Sequence, residues 1–282
     1  MLAESQFAKV NGLNMHFVSS GEGRPVLLLH GFPDTHTIWR RQIPVLAAAG
    51  LRAIAPDLRG YGRTDAPTHT SAYAMPFLAD DVLRLMDALG IEKAAIVGHD
   101  WGGLIGWHLA MHAPERITRY AALSTGHPAA IAGAGLSQTL RFWYVLVFRT
   151  PVLAEALLRA NDWFVLRQMI EDREQQEIWR APLAPAGRLT AALDYYRANF
   201  SPTAPRGWQP VHIPVMGVWS DRDPALGEKQ MRDSRLHCQA GFRFERLTGA
   251  GHWMQLSAAQ RLNALLVDFL AEDAGVERQA HQ

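Results

Sequence analysis

Two periodicities alternate along the chain. Short apolar runs of strand length are separated by longer segments whose apolar residues recur at helical spacing. The runs at 25–29 (PVLLL), 51–55, 94–97, 120–123 and 214–219 are continuous, as strands covered on both faces are. Between them, 80–89 and 256–270 read as amphipathic helices. Residues 7–19 alternate on either side of Asn11-Gly12, which predicts an antiparallel hairpin at a sheet edge. The rhythm predicts an α/β fold, a mostly parallel central sheet flanked by helices.

That rhythm stops between 126 and 213. No strand-like run occurs there, and 141–148, 154–170 and 189–199 read as helices rich in aromatic residues. The pattern predicts a core domain formed by 1–125 and 214–282, with 126–213 inserted as a helical cap. Such an insertion belongs over the carboxyl ends of the strands, where open α/β sheets carry their active sites.

Composition narrows the function classes. In 282 residues, 28 basic side chains stand against 27 acidic ones, a formal charge of +1. Nucleic acid is a poor partner for such a chain, because neutralising phosphates needs a basic excess. Cys238 is the only cysteine, so the chain holds no internal disulfide and no multi-cysteine metal site. The first residues lack the apolar core of a secretion signal, and the run at 140–148 is too short to span a bilayer. The expectation is a soluble, cytoplasmic protein without a membrane span; a homodimer is compatible with it. His108 and His112 stand one helical turn apart, but no glutamate follows His108, and metal binding is not expected. No phosphate-cradling lysine motif occurs, and no cofactor is expected. Nine tryptophans against six tyrosines is the unusual entry in the composition.

Candidate chemistry begins where Val97, Gly98, His99, Asp100, Trp101, Gly102 and Gly103 follow a predicted strand and open a predicted helix. This is the G-x-nucleophile-x-G form of a tight strand-to-helix turn, with aspartate at the nucleophile position. Glycines leave room beside that residue, and the helix N-terminus favours an ionised carboxylate. Here the sequence resembles the α/β-hydrolase superfamily, and within it the epoxide hydrolases, over nearly the whole chain. His30-Gly31-Phe32-Pro33 looks like that family's HGxP motif, and the residues from Asp57 to Gly62 look like its next loop. Gly251-His252-Trp253 resembles its catalytic-histidine segment.

Aspartate selects the reaction. A carboxylate is already an anion and can displace at saturated carbon, leaving an alkyl ester on Asp100. Water must then attack that ester, and His252 fits the base that activates it. A carboxylate must hold the histidine's tautomer; Asp221 and Asp223 both follow the run ending at Trp219, and the resemblance favours Asp223. It also implies an oxyanion hole from the backbone N–H groups of Phe32 and Trp101, with Pro33 in the cis form. His30, Asp57 and Arg59 read as loop architecture.

The leaving group separates two reactions. An opened epoxide is an alkoxide and needs a proton, which a phenol can supply; a halide needs only N–H donors. The segment Asp194-Tyr195-Tyr196-Arg197 resembles the cap segment that carries the family's ring-opening tyrosine, matching at Tyr196. Epoxide hydrolases place a second tyrosine beside it, and 170–183 contains none; Trp179 stands there instead. Either one phenol suffices, Tyr144 supplies the other, or Trp179 is a halide donor. Phe32 stands where haloalkane dehalogenases carry an asparagine, which disfavours that alternative. A non-catalytic receptor on the same fold is a third reading. Aromatic residues of the insertion, Tyr144, Trp163 and Trp179, together with Trp253, are the candidates for contact with a hydrophobic epoxide, whose other reactant is water.

Overall fold

The computed structural model describes residues 3–170, 172–200 and 207–271, so part of the predicted insertion, 201–206, lies outside the described residues. The chain begins with β1 (Glu4–Val10) and β2 (Leu13–Ser20), continues through β3 (Arg24–Leu29), α1 (Ile43–Ala48), β4 (Leu51–Pro56) and α2 (Met75–Ala88), and reaches β5 (Ala94–His99), α3 (Trp101–His112) and β6 (Ile117–Leu123). Six helices follow: α4 (Pro128–Ala132), α5 (Leu136–Arg141), α6 (Trp143–Phe148), α7 (Leu153–Arg167), α8 (Arg173–Leu183) and α9 (Arg188–Asn199). The last section holds β7 (Val215–Ser220), α10 (Glu228–Asp233), β8 (Phe242–Leu247), α11 (Met254–Ser257) and α12 (Ala259–Ala271).

All eight strands join one sheet in the order β1-β2-β4-β3-β5-β6-β7-β8. β2 pairs antiparallel with β1 and β4, and every other pairing is parallel. The predicted hairpin is present at the edge: Asn11 and Gly12 both take positive φ, and Val10 pairs with Leu13. β5 and β7 are buried at every position. Alternate side chains point to opposite faces, so both faces of the sheet are covered.

Three expectations need correcting. β8, FRFERL, was not expected as a strand; it is an edge strand pairing only β7, and its half-exposed Arg and Glu side chains hide the apolar signal. The helix expected over 141–148 starts at Leu136 and breaks at Phe142 into α5 and α6. The one expected over 154–170 is interrupted at Ala160, Asn161, Asp162 and Trp163, the last three left-handed.

The six helices between β6 and β7 are tied to the loops after β4 by α9. The Tyr195 hydroxyl donates to the Arg59 carbonyl at 2.8 Å, and the Asn199 amide donates to the Tyr73 carbonyl while its oxygen accepts the Met75 N–H. Among the described residues, no helix is long and apolar enough to cross a membrane.

Candidate active site

The turn from β5 into α3 holds Asp100 at φ 53° and ψ −117°, a conformation that side chains rarely take. Close packing enforces it. A Cβ at Gly102 would stand 2.1 Å from the Leu29 carbonyl oxygen, and one at Gly31 would stand 2.2 Å from Asp100 Oδ1. The close approach at Gly31 lets the next residue work: the Phe32 N–H donates to Asp100 Oδ1 at 2.8 Å, and the Trp101 N–H also reaches that carboxylate. The Phe32–Pro33 peptide is cis. Burial pushes the Asp100 pKa up, opposed by the charge of His252 and by these two N–H groups.

Two strand ends deliver the partners. His252, in the loop after β8, holds its Nε2 3.8 Å from Asp100 Oδ2, too long for a direct hydrogen bond. Its Nδ1 lies 2.8 Å from Asp223 Oδ2 in the loop after β7. The other oxygen of Asp223 accepts the N–H groups of Ala225 and Leu226, at 2.8 and 2.9 Å. Asp221, the other sequence candidate, instead accepts the Gly249 N–H and stays away from the histidine as a turn residue. Burial alone would push the His252 pKa down. The Asp223 carboxylate, by its charge and hydrogen bond, and the Asp100 charge outweigh burial and raise it to about 9. Burial likewise acts to raise the Asp223 pKa, but its contacts with His252, Leu226 and Ala225 bring it below the ordinary value.

Aromatic rings roof the carboxylate. Tyr196 stands edge-on to Trp101 and Phe32, with ring centroids 5.0 and 5.8 Å away, above the two residues whose N–H groups face Asp100. Tyr144 on α6 lies 6.3 Å from Tyr196, and both phenols have raised pKa values, through burial first and then the Asp100 charge. The structure therefore brings a second phenol to the site from α6, upstream of the segment where sequence reasoning looked for it. Asp100 keeps 17% side-chain exposure inside this aromatic shell, enough for a small molecule to reach it.

Trp179 has a different partner. Its indole N–H donates to Asp34 Oδ1 at 2.6 Å, the Trp253 indole donates to Asp34 Oδ2 at 2.9 Å, and the Gln175 amide donates to Oδ1 at 3.2 Å. Asp34 is fully buried, and burial raises its pKa to about 7 against the pull of the two indoles. The proposed halide donor is thus occupied by a carboxylate of the protein itself. Trp163 is placed elsewhere, buried beneath the Arg159 guanidinium; among the described residues no ring contact joins it to Tyr196 or Trp101.

His30, Asp57 and Arg59 brace loops. His30 receives the Leu58 N–H, Arg59 grips Asp81 with two bonds of 2.6 Å, and Asp57 binds the Nδ1 atoms of His16 and His36. His16, His36 and Asp57 form the one cluster of potential metal ligands among the described residues, but Asp57 is also filled by the backbone N–H groups of His36 and Arg63. The rings of His108 and His112 lie 4.4 Å apart, tilted by 44°. Sequence reasoning missed Asp34 and His99. His99 Nε2 lies 3.0 Å from the His252 carbonyl, so it must carry the proton there, and it ties the histidine loop to the nucleophile turn. Their signal was position, an acid directly after Pro33 and an imidazole directly before Asp100.

A family model described as alpha/beta hydrolase fold matches residues 24–259. The chain is 32% identical to Epoxide hydrolase 3 of Xenopus tropicalis over 96% of its own length and 78% of that protein. It is 33% identical to the AB hydrolase superfamily protein YfhM of Bacillus subtilis, over 94% of this chain and 97% of that one. A Bacillus megaterium epoxide hydrolase, solved with an inhibitor, superposes with a TM-score of 0.87 at 26% identity, covering 95% of this chain and all of the other.

Proposed function

The chain belongs to the alpha/beta hydrolase family, and from that premise we propose that it is an epoxide hydrolase, converting an apolar epoxide to a vicinal diol through an ester on Asp100. Residues 126–213 act as the lid of a core formed by 1–125 and 214–282. An oxygen of the Asp100 carboxylate bonds to an epoxide carbon, and the ring C–O bond breaks with its electron pair on oxygen. Tyr196 gives that oxygen its proton, with Tyr144 as the second phenol of the pair. Raised pKa values keep both phenols protonated until an alkoxide forms.

Esterification removes the Asp100 charge, one of the charges that hold the proton on His252. Its proton passes to the Tyr196 phenolate, which restores the phenol and frees the base when it is needed. Neutral His252, aimed by Asp223, takes a proton from water, and hydroxide adds to the ester carbonyl. The N–H groups of Phe32 and Trp101 stabilise the oxyanion. The intermediate collapses, the diol oxygen leaves with the proton from His252, and Asp100 keeps one oxygen from water; the proton left on its carboxyl passes to His252, which restores the resting pair.

One observation carries this reading: Asp100, His252 and Asp223 form a chain of contacts beneath a tyrosine pair. Release of a halide would need indole donors, but that of Trp179 is engaged by Asp34. A receptor would need neither the base nor the phenols. The test is a single turnover of an aryl epoxide in heavy-oxygen water, followed by mass analysis of protein and product. The label is expected on Asp100 and absent from the diol. Label in the diol after one turnover would mean that water attacks the epoxide directly. For His252→Gln, an ester is expected to accumulate on Asp100.

A further inference from the structure

Most of the exposed large apolar side chains among the described residues lie between 136 and 165, on the outside of α5, α6 and α7. Leu136, Leu140 and Trp143 line one open groove, and Leu146 follows Trp143 by one helical turn. The turn into α7 then presents Val152 and Leu153 to solvent. Val152, 79% exposed, takes φ +68°, a left-handed conformation that a β-branched residue avoids. An isolated exposed leucine needs no explanation, but a contiguous apolar face ending in a strained apolar tip does.

Charge indicates what covers this face. From 136 to 165 the acidic residues are Glu155, whose carboxylate is held by Arg197 and Thr190, and Asp162, which is paired with Arg167. Arg149 is exposed directly after α6, three residues beyond Leu146, and Arg159 is exposed on α7. Tryptophan and leucine beside arginine, with no free carboxylate, is the composition of a surface that settles into an anionic lipid interface. A second copy of this chain related by a two-fold axis would set the same arginines against each other, with no acid between them to pair.

We propose that the outer face of α5 and α6, with the turn at Val152, docks on a lipid surface bearing anionic headgroups. The same α6 turns Tyr144 and Phe148 inward to Tyr196, so lipid contact would be made on the far side of the helix that carries the second phenol. Docking goes beyond the epoxide reading and does not depend on it.

The test is co-sedimentation of the full chain with vesicles of phosphatidylcholine, with or without phosphatidylserine. Binding is expected to the mixed vesicles, to weaken with added salt, and to be far weaker without phosphatidylserine. Trp143→Ser combined with Leu146→Ser should lower partitioning on the order of tenfold or more, and Arg149→Glu should lower it by about fivefold or more. Leu236→Ser is the control: Leu236 is as exposed as Leu146, 71% against 69%, but lies off the lid, and partitioning should not change. A polarity-sensitive dye on Leu146→Cys, in a Cys238→Ser background, should shift to the blue on mixed vesicles. No binding to mixed vesicles, no dye shift, or equal loss in the Leu236 variant overturns the proposal. So does a dimer in light scattering that Trp143→Ser with Leu146→Ser dissolves, for the face then belongs to a second copy.

Discussion

Adjacent tyrosines on α9 have opposite partners. Tyr195 gives its hydroxyl to the Arg59 carbonyl, whereas Tyr196 faces Trp101 and Tyr144. Tyr196→Phe should therefore slow formation of the Asp100 ester by about a hundredfold or more, the range of general acid catalysis. Tyr195→Phe should leave that rate unchanged and cost about 1 kcal/mol of stability for the lost hydrogen bond. Rapid-quench mass spectra and urea melts separate the two; equal slowing by both variants would contradict the assignment. Asp34 offers a stability test at the same scale. Asp34→Ala leaves two indole N–H groups and the Gln175 amide without their acceptor, so a loss of at least about 2 kcal/mol is expected. A melt unchanged from wild type would show that water replaces the carboxylate. The sequence made Trp179 an open question because its partner lies on the other side of the insertion, 145 positions away. Local pattern identifies a residue's type and its element, but a hydrogen bond between distant loops leaves no periodic trace.

On α5, two side chains grip the loop of the orienting acid. Gln138 donates to the Ala225 carbonyl and accepts the Gly227 N–H, and Arg141 donates to the carbonyls of Asp223 and Pro224. α5 thus holds the loop whose Asp223 is bound to His252. In the proposed mechanism His252 acts as a base only after esterification, so Gln138→Ala should slow ester hydrolysis by about tenfold while ring opening changes less. Single-turnover rates of the two steps decide it, and equal slowing would mean that Gln138 only holds the lid closed. Elements were legible wherever burial was uniform: the central strands and the hairpin stand where continuous or alternating apolar residues put them. β8 was not, because an edge strand with Arg243, Glu245 and Arg246 along it resembles a loop. Nor were the breaks at Phe142 and at 160–163, where apolar content continues while the backbone changes direction. Asp100 and His252, the proposed nucleophile and base, were legible as motif positions because tight glycine turns tie their geometry to local sequence, whereas Asp223 was separated from Asp221 only by the resemblance.

Unfolding exposes the whole site at once, so the titrations of the site appear in global stability. His252 binds its proton up to about pH 9 in the folded protein and up to about 6.5 when unfolded. Between those values this group holds more proton in the folded state, so its contribution to stability falls as pH rises. The stability from this group is complete below about pH 6.5 and is gone above its folded pKa. Asp34, raised to about 7, adds loss of the same sign at the lower end of the window, and Cys238, raised to about 12, adds it above the upper end. One proton sets a limiting slope of about 1.4 kcal/mol per pH unit. Burial lowers the pKa values of His30, His99, His108 and His127, so their protonation in the unfolded state acts in the opposite direction until pH passes about 7.5. Urea melts from about pH 7.5 to 9 should therefore show a decline, and His252→Gln should flatten most of it. Equal stability of the wild type at both ends would mean that His252 is neutral in the resting protein. The base would then be free before the ester forms, and the timing of the two steps could not come from the Asp100 charge.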